Sequence, residues 1–215
     1  ANIETVDVGL SPTYWQRDRF PQSFHRKLYV CHDGIRTDQL RPDPAVTLKL
    51  GRMDRALTKD DEVLTFVSRN LERTRGFHVF MRALPRILKQ RPNARVLVVG
   101  GNDTSYGGKS KHPGGLRAEM EGATIVGSNG APVREAITHG ETGLLCDFFD
   151  PDALGDQVAD VLGNPAAYAH LGPAARAHVV KTYDFLTKCL PEHIAQMNAL
   201  VPEGQRIALP RTPTT

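Results

Sequence analysis

The sequence has no apolar run long enough to span a membrane, and it contains few cysteines. Its three cysteines, Cys31, Cys146 and Cys189, are odd in number and far apart, so neither a disulfide framework nor a zinc site is expected. We predict reduced thiols beside a hydrophobic core in a cytoplasmic protein. No signal peptide is recognised at the N-terminus, and peripheral contact with the inner face of a membrane stays compatible with this composition.

An excess of charge of either sign is also missing. The 215 residues include 27 lysines and arginines against 24 aspartates and glutamates, which leaves a net charge of +3. The isoelectric point near 8.8 allows an anionic ligand. Because there is no basic run and no ladder of aromatic residues, a nucleic-acid partner is not predicted. A hydrophobic content of 40% indicates a chain with a buried core, either one large domain or one domain with an appendage.

Short apolar stretches alternate with amphipathic ones over most of the chain. The stretches that read as strands are Lys27–Cys31, Val63–Val67, Arg95–Gly100, Ala123–Gly127 and Gly143–Cys146. Helices are predicted after Thr74 as N-cap, at Pro132–Thr138, from the Asp150–Pro151 pair, from Pro173, and around Leu190–Leu200 with a kink at Pro191. This alternation is typical of an α/β fold with a doubly wound parallel sheet. Residues 202–215 are rich in proline and threonine and are predicted to be disordered.

Two arginines and a glycine give the clearest functional signal. Arg69 and Arg75 follow the predicted strand Val63–Val67, and Gly76 precedes an amphipathic helix. They therefore belong at the carboxyl end of a strand and beside a helix N-terminus, where open α/β sheets bind ligands and where peptide N–H groups favour anions. This arrangement predicts a phosphate-binding site. From position alone, two solvated surface arginines are an equally good interpretation.

Other nucleotide-binding motifs are not met. The stretch Gly101–Ser110 ends like a P-loop, but Asp103 stands where that motif requires glycine. Gly100 and Gly101 do not form a G-x-G-x-x-G fingerprint either. A nucleotide hydrolase and a nicotinamide-dependent enzyme are therefore not predicted.

Several motifs, taken together and in order, resemble the GT4 family of retaining glycosyltransferases. The match runs through Ser11-Pro12-Thr13, the stretches Val30–Asp38 and Leu40–Pro42, Arg69 with Arg75-Gly76, Val96–Gly100, Gly122–Ser128 and Gly140–Asp147. The resemblance covers most of the chain between Ser11 and about Leu200. No single motif is decisive, but the order and spacing of the set are specific.

The resemblance implies the GT-B architecture, in which two Rossmann-like domains face a cleft. Residues 1–45 would be the end of the acceptor-side domain and a linker, residues 46–201 the Rossmann-like domain that binds the nucleotide-sugar, and residues 202–215 a tail. The implied partners are a nucleotide-sugar donor and an acceptor that is a glycan, a lipid or a small molecule. The implied chemistry is hexosyl transfer with retention, without a metal or another cofactor.

The resemblance also assigns site residues. Arg69 and Arg75 would hold the donor diphosphate, and Gly76 would let the helix N-terminus approach it. The candidates for a further donor-site loop are Gly100, Gly101, Ser128 and Glu135, although a plain helix-surface role is the better interpretation of Glu135. The catalytic residues are not assigned.

The chain departs from the family pattern between Gly107 and Gly122. The family's Glu-x7-Glu motif, which holds the donor sugar and ribose, would place its second glutamate at Arg117, and Glu119 and Glu121 are out of register. Two βα units, about 60 residues, are missing there, so we expect an internal segment absent from this sequence near residues 117–122. Most of the acceptor domain is missing as well, and His25 and His32 are poor candidates for its catalytic-side histidine. The alternative function is a non-catalytic nucleotide-binding module derived from such an enzyme.

Overall fold

The computed structural model describes residues 3–41, 45, 47–49, 55–58, 60–101 and 131–208. The strands are β1 (Gly9–Ser11), β2 (Leu28–Val30), β3 (Val63–Asn70) and β4 (Arg95–Gly101). The α-helices are α1 (Tyr14–Arg17), α2 (Phe77–Gln90), α3 (Ala131–Arg134), α4 (Pro151–Gly163), α5 (Leu171–Tyr183) and α6 (Leu190–Ala199). Short 3₁₀ turns lie at Gln22–Lys27, Arg73–Arg75 and Glu203–Gln205, and a π-helix at Phe185–Cys189 joins α5 to α6.

The described strands form two parallel pairs. β1 pairs with β2 over three residues, and β3 pairs with β4 from Val63 opposite Arg95 to Val67 opposite Val99. In β3 the side chains of Leu64 and Phe66 are buried, whereas Val67 is 70% exposed. This alternation shows that helices cover one face of the β3–β4 pair, as the spacing of its apolar residues requires. The parallel pairing of strands with helices between them confirms the predicted α/β class with a Rossmann-like parallel sheet.

Helix α2 lies between the β3–β4 pair and α4 and contributes side chains to both contacts. Toward the sheet, Phe77, Phe80 and Leu84 pack with Phe66. Toward α4, the side chains that meet are Val79, Ala83 and Ile87 from α2, and Leu154 and Val158 from α4. The apolar positions of α2 recur every three or four residues, so one helix can pack against both the β3–β4 pair and α4.

Helix α4 begins as the sequence predicts. The Asp150 carboxylate accepts hydrogen bonds from the peptide N–H groups of Asp152 (3.1 Å) and Ala153 (2.9 Å), and Pro151 occupies the first turn. The predicted N-cap and N1 pair is therefore confirmed.

Some predicted boundaries are wrong. Thr74 is not the N-cap residue of α2: it lies inside a 3₁₀ turn, and Gly76 precedes the helix. Gly143–Cys146 is not a strand, and Gly143 makes only an isolated bridge with His139. The run of apolar residues was too short to distinguish a strand from an extended connection. The predicted strand Ala123–Gly127 and the segment around residues 117–122 lie outside the described residues.

The C-terminal helices also differ from the prediction. Helix α5 begins at Leu171, not at Pro173. Pro191 lies in the first turn of α6, where a missing N–H group costs little, and the turns directly before it are π-helical. Beyond α6, the Asn198 side chain bonds to both the N–H and the carbonyl of Ile207 (2.7 and 2.8 Å). None of the helices within the described ranges is both long and apolar enough to cross a bilayer.

A buried aspartate joins residues 3–41, called the first segment below, to the C-terminal helices α5 and α6. Ile35 pairs with Asp184 as a parallel bridge, with its N–H donating to the Tyr183 carbonyl (2.7 Å). The Asp184 carboxylate accepts hydrogen bonds from the Thr37 hydroxyl and from the hydroxyl and N–H of Thr187. These donors, the Thr37 hydroxyl first, hold the pKa of Asp184 below its usual range.

We expect Asp184→Asn to lower the free energy of unfolding at pH 7 by about 1–3 kcal/mol, because it removes the charge that three donors stabilise. The pKa of Asp184 is lower in the folded state than in the unfolded state. Its contribution to the free energy of unfolding is therefore present above about pH 4, and it is lost as the pH falls through the pKa that Asp184 has in the folded state. The difference between variant and parent in urea unfolding should shrink below pH 4. Asp60→Asn, at an exposed position, is the control and should change little; equal stabilities of Asp184→Asn and the parent at every pH would contradict the role.

Candidate functional site

The carboxyl ends of β3 and β4 meet in a close backbone contact. The Leu71 N–H donates to the Gly101 carbonyl (2.9 Å), just beyond the point where Asn70 pairs with Gly101. A Cβ atom at Gly100 would lie 2.8 Å from the Ser68 carbonyl oxygen, and one at Gly101 would lie 2.6 Å from the Asn70 side-chain oxygen. Since real Cβ contacts are longer, Gly100 requires glycine, whereas a side chain at Gly101 would require the Asn70 side chain to turn away.

Arg69 lies at this edge of the sheet. It is the last but one residue of β3 and is exposed, with its carbonyl 3.2 Å from the Cβ position of Gly101. The sequence predicted a loop position for Arg69, which is wrong because the strand continues to Asn70. The structure therefore brings Arg69, Gly100 and Gly101 together on consecutive strand ends.

Arg75 follows in the 3₁₀ turn and is paired with an acidic residue. Its Nε lies 3.5 Å from Oε1 of Glu72, whose side chain is 6% exposed against 41% for Arg75. A buried carboxylate thus lies under an accessible guanidinium group. Sequence reasoning missed Glu72, although a glutamate three residues before an arginine is the spacing that lets such a pair form within one turn.

Gly76 connects the turn to α2 in a conformation that favours glycine. Its φ angle is 78°, in the left-handed region, and a Cβ atom there would lie 3.2 Å from the Phe148 ring. Gly76 is the N-cap residue of α2 and has no side chain with which to cap it. The first peptide N–H groups of a helix carry partial positive charge, so this end of α2 adds to the positive field of the two arginines.

A histidine that sequence reasoning did not consider, His78, lies in the first turn of α2. Burial, followed by the positive charges of Arg82 and Arg73, lowers the pKa of His78, so the imidazole is neutral at pH 7. Its ring meets Phe148 edge to face at 5.9 Å. The only sequence signal for it was its position two residues after Gly76. The positive charge at this end of the sheet therefore comes from arginines and not from His78.

Glu135 belongs to another part of the molecule. Its carboxylate accepts hydrogen bonds from the peptide N–H groups of Tyr14 (2.9 Å) and Trp15, at the start of α1. Its backbone carbonyl accepts a hydrogen bond from the Tyr183 hydroxyl (3.4 Å). No contact described here joins Glu135 to Arg69 or Arg75. Ser128, the remaining residue predicted for the donor-site loop, lies outside the described residues.

A cavity of about 720 Å³ lies next to Glu135, between the first segment and helices α3 and α5. Its lining includes Pro12, Thr13, His32, Glu135, Ile137 and Val179, whereas Arg69 and Arg75 do not border it. The candidate phosphate site and this cavity are therefore separate features. Within the described residues no group of His, Cys, Asp and Glu is arranged to hold a metal ion.

The start of the chain matches a known family of proteins. Residues 1–40 match the model described as the glycosyl transferase family 4 group. A GDP-mannose-dependent alpha-(1-6)-phosphatidylinositol monomannoside mannosyltransferase from Mycolicibacterium smegmatis is 25% identical over 234 residues, covering 85% of this chain and 60% of the relative. A glycogen synthase from Mycobacterium tuberculosis is 33% identical over 98 residues, covering 46% of this chain and 23% of the relative.

The fold of the chain is similar to that of solved structures of other proteins. HepE of Anabaena in complex with UDP has a TM-score of 0.60 at 12% identity, covering 91% of this chain and 64% of that protein. Sucrose-phosphate synthase from Thermosynechococcus elongatus has a TM-score of 0.65 at 17% identity, covering 93% of this chain and 60% of that protein. Both similarities show the fold over nearly the whole chain.

The chain spans about three fifths of the length of the mannosyltransferase relative. The alignment has 234 positions, and 85% of 215 residues is about 183, so about 51 aligned positions have no residue in this chain. The alignment with the enzyme of the same name from Mycobacterium tuberculosis gives a similar result. It has 223 positions and covers 81% of this chain, so this chain fills about 174 of them. The relatives therefore contain about 50 residues within the matched stretch that this sequence lacks.

We expect Glu135→Ala to lower the free energy of unfolding by about 0.5–2 kcal/mol, the range for losing a carboxylate that caps a helix N-terminus. The Tyr14 and Trp15 N–H groups lose their partner and become solvated. Chemical unfolding followed by circular dichroism measures the change. Glu141→Ala, at another exposed position in the same region, is the control; equal stability of the two variants would show that the cap contributes nothing.

Proposed function

We propose that the chain is a GT4 glycosyltransferase of GT-B fold that transfers a sugar from a nucleotide-sugar to an acceptor hydroxyl, since residues 1–40 match the glycosyl transferase family 4 model and the similar proteins include a mannosyltransferase. The configuration of the anomeric carbon is retained in this proposal. The observation that carries it is the position of Arg69 at the end of β3 and of Arg75 in the turn that follows, next to the N-terminus of α2.

The charges of this site suit a diphosphate. Two guanidinium groups offer bidentate hydrogen bonds to phosphate oxygens, and the peptide N–H groups of the helix N-terminus add further donors. Gly100 and Gly101 leave the adjoining strand end without side chains, which gives a phosphate access to this edge. The buried Glu72 offsets part of the charge of Arg75, so Arg69 and the helix supply the remaining positive potential.

The same groups would act during the reaction. When the bond between the anomeric carbon and the phosphate oxygen breaks, its electron pair moves to the leaving diphosphate, and negative charge grows there. Cations placed at the diphosphate stabilise this state more than the ground state. The acceptor hydroxyl attacks the anomeric carbon from the face that the diphosphate leaves. In this proposal the arginines take the role that a divalent cation has elsewhere, so no metal is required.

The names of the relatives support the donor class. The mannosyltransferase is named as GDP-mannose-dependent, and HepE has been solved with UDP-glucose. GDP-mannose and UDP-glucose are both nucleoside diphosphate sugars. The diphosphate that they share is the group that Arg69 and Arg75 would recognise. The acceptor is proposed only as a hydroxyl compound: a glycan, a lipid or a small molecule.

A second candidate function is nucleotide binding without transfer. It is favoured by the absence of the Glu-x7-Glu motif from the sequence, and by the roughly 50 positions of the relatives that this chain lacks. Without the two carboxylates, the donor sugar and ribose would lose their main hydrogen-bond acceptors, while the diphosphate would keep its cations. Such a module would bind donor or product without breaking the sugar–phosphate bond.

The two functions differ in whether the sugar–phosphate bond is broken. We expect the purified chain, incubated with GDP-mannose or UDP-glucose and an acceptor mixture, to release free nucleoside diphosphate if it is a transferase. Chromatography of the nucleotides measures this release, and calorimetry measures binding. Binding with no release would identify the non-catalytic module, and neither binding nor release would overturn both proposals.

We expect Arg75→Ala to weaken the binding of GDP or UDP by roughly 1.5–3 kcal/mol, the range for hydrogen bonds to charged groups. This corresponds to a ~10- to ~150-fold higher Kd in calorimetry. Lys89→Ala is the matched control, since it removes a positive charge at the far end of the same helix. An unchanged affinity of Arg75→Ala would remove Arg75 from the site, and an equal loss in both variants would show only a loss of overall charge.

A further inference from the structure

Two buried cysteines from distant parts of the chain lie against each other. Cys31 follows β2 and Cys189 ends the π-helix, 158 positions later in the sequence. Their side chains are 4% and 3% exposed. The Cys31 thiol points at Cys189, with its sulfur 3.7 Å from the Cys189 carbonyl oxygen.

Backbone hydrogen bonds fix both cysteines. The Cys31 N–H donates to the Ser11 carbonyl (3.0 Å), which continues the pairing of β1 with β2. The Cys189 N–H donates to the Asp184 carbonyl (3.0 Å) within the π-helix. Because the bridge between Ile35 and Asp184 holds the same two segments together, the proximity of the thiols is a property of the fold and not of one rotamer.

Both cysteines border a cavity despite their burial. Cys31, Cys189 and Glu192 all line the 720 Å³ cavity between the first segment and the C-terminal helices. The Cys31 sulfur lies 3.8 Å from Glu192 Oε2, which accepts a weak hydrogen bond from the thiol. Cys146, the third cysteine, does not border this cavity and packs instead near Leu64 and Leu154.

The surroundings keep the thiols protonated at neutral pH. Burial, followed by the negative charge of Glu192, raises the pKa of Cys31 to about 11. Burial also raises the pKa of Cys189. Neither thiol is therefore a good nucleophile for a dilute reagent, but a second thiol fixed next to the first acts at a high effective concentration once reaction has begun.

We propose that Cys31 and Cys189 are a disulfide-forming pair, oxidised by a low-molecular-weight disulfide that enters through the cavity. One cysteine, as thiolate, attacks a sulfur of the reagent and expels a thiolate, which leaves a mixed disulfide. The second cysteine then attacks the protein sulfur of the mixed disulfide and expels the other thiolate. The two protein thiols lose two electrons to the reagent, and their two protons convert the expelled thiolates to thiols.

The bond would join the first segment to the C-terminal helices covalently. In the reduced protein these parts are held by the Ile35–Asp184 bridge and side-chain hydrogen bonds, which break together on unfolding. A crosslink between residues 158 positions apart removes a large part of the conformational freedom of the unfolded chain. The oxidised protein should therefore unfold at a higher temperature than the reduced protein.

The test treats the folded chain with cystamine, a small disulfide, and measures intact mass and peptide maps without reduction. We expect a mass lower by about 2 Da, a peptide in which Cys31 is joined to Cys189, and a Tm raised by several degrees that a reductant reverses. Cys146→Ser should form the same crosslink. Cys189→Ala should give no internal crosslink, and circular dichroism before treatment confirms that it is folded.

Two results would overturn the proposal. One is a parent protein in which Cys31 and Cys189 remain thiols while Cys146 takes up the reagent as a mixed disulfide. The other is a crosslink that includes Cys146 and disappears in Cys146→Ser. If Cys189→Ala does not fold, the Cys146→Ser variant alone still separates these outcomes, because it contains only the two cysteines in question.

Discussion

The contact between α2 and the β3–β4 pair determines where the candidate phosphate site lies. The Phe66 ring packs against Phe77 and Phe80, with ring centres 5.3 and 5.7 Å apart, so the end of β3 and the start of α2 cannot move independently. Aromatic pairs at such distances add to the free energy of burying the rings. Because the connection between strand and helix is short, this packing also fixes Arg69 and Gly76 at one edge of the sheet.

The first segment depends on a different set of contacts. The Arg176 guanidinium group of α5 donates to the carbonyls of Thr37 and Leu40, both at 2.6 Å. Asp184, one residue after α5, accepts from the Thr37 hydroxyl. A turn with few apolar residues is thus held by charged groups that satisfy its backbone and side-chain hydrogen bonds. The molecule combines a layered core around α2 with a polar junction around α5, and the two rely on different physical forces.

Sequence reasoning succeeded where the cause is local. The uncharged apolar run of β3 and the helical spacing of α2 predicted the strand, the helix and the edge between them. The run also predicted a buried strand, whereas β3 is buried on one face and Val67 is 70% exposed. It failed where the cause is distant. Glu135 caps α1 through a hydrogen bond from Tyr14, 121 positions away, and the π-helix Phe185–Cys189 follows Asp184, which forms a bridge with Ile35. Nothing in the sequence around either site reports the partner.

The pairing of Arg75 with the buried Glu72 bears on how a ligand would arrive. An arginine side chain in water samples many rotamers, and holding it still for a ligand costs conformational entropy. The carboxylate beneath Arg75 restricts that sampling before any anion is present, so less entropy remains to be lost on binding. The same carboxylate weakens the long-range attraction of the site, which would make association slower and less sensitive to salt than two unpaired arginines would allow. The Glu72–Arg75 pair would therefore lower the association rate of an anion and also lower the entropy cost of binding it.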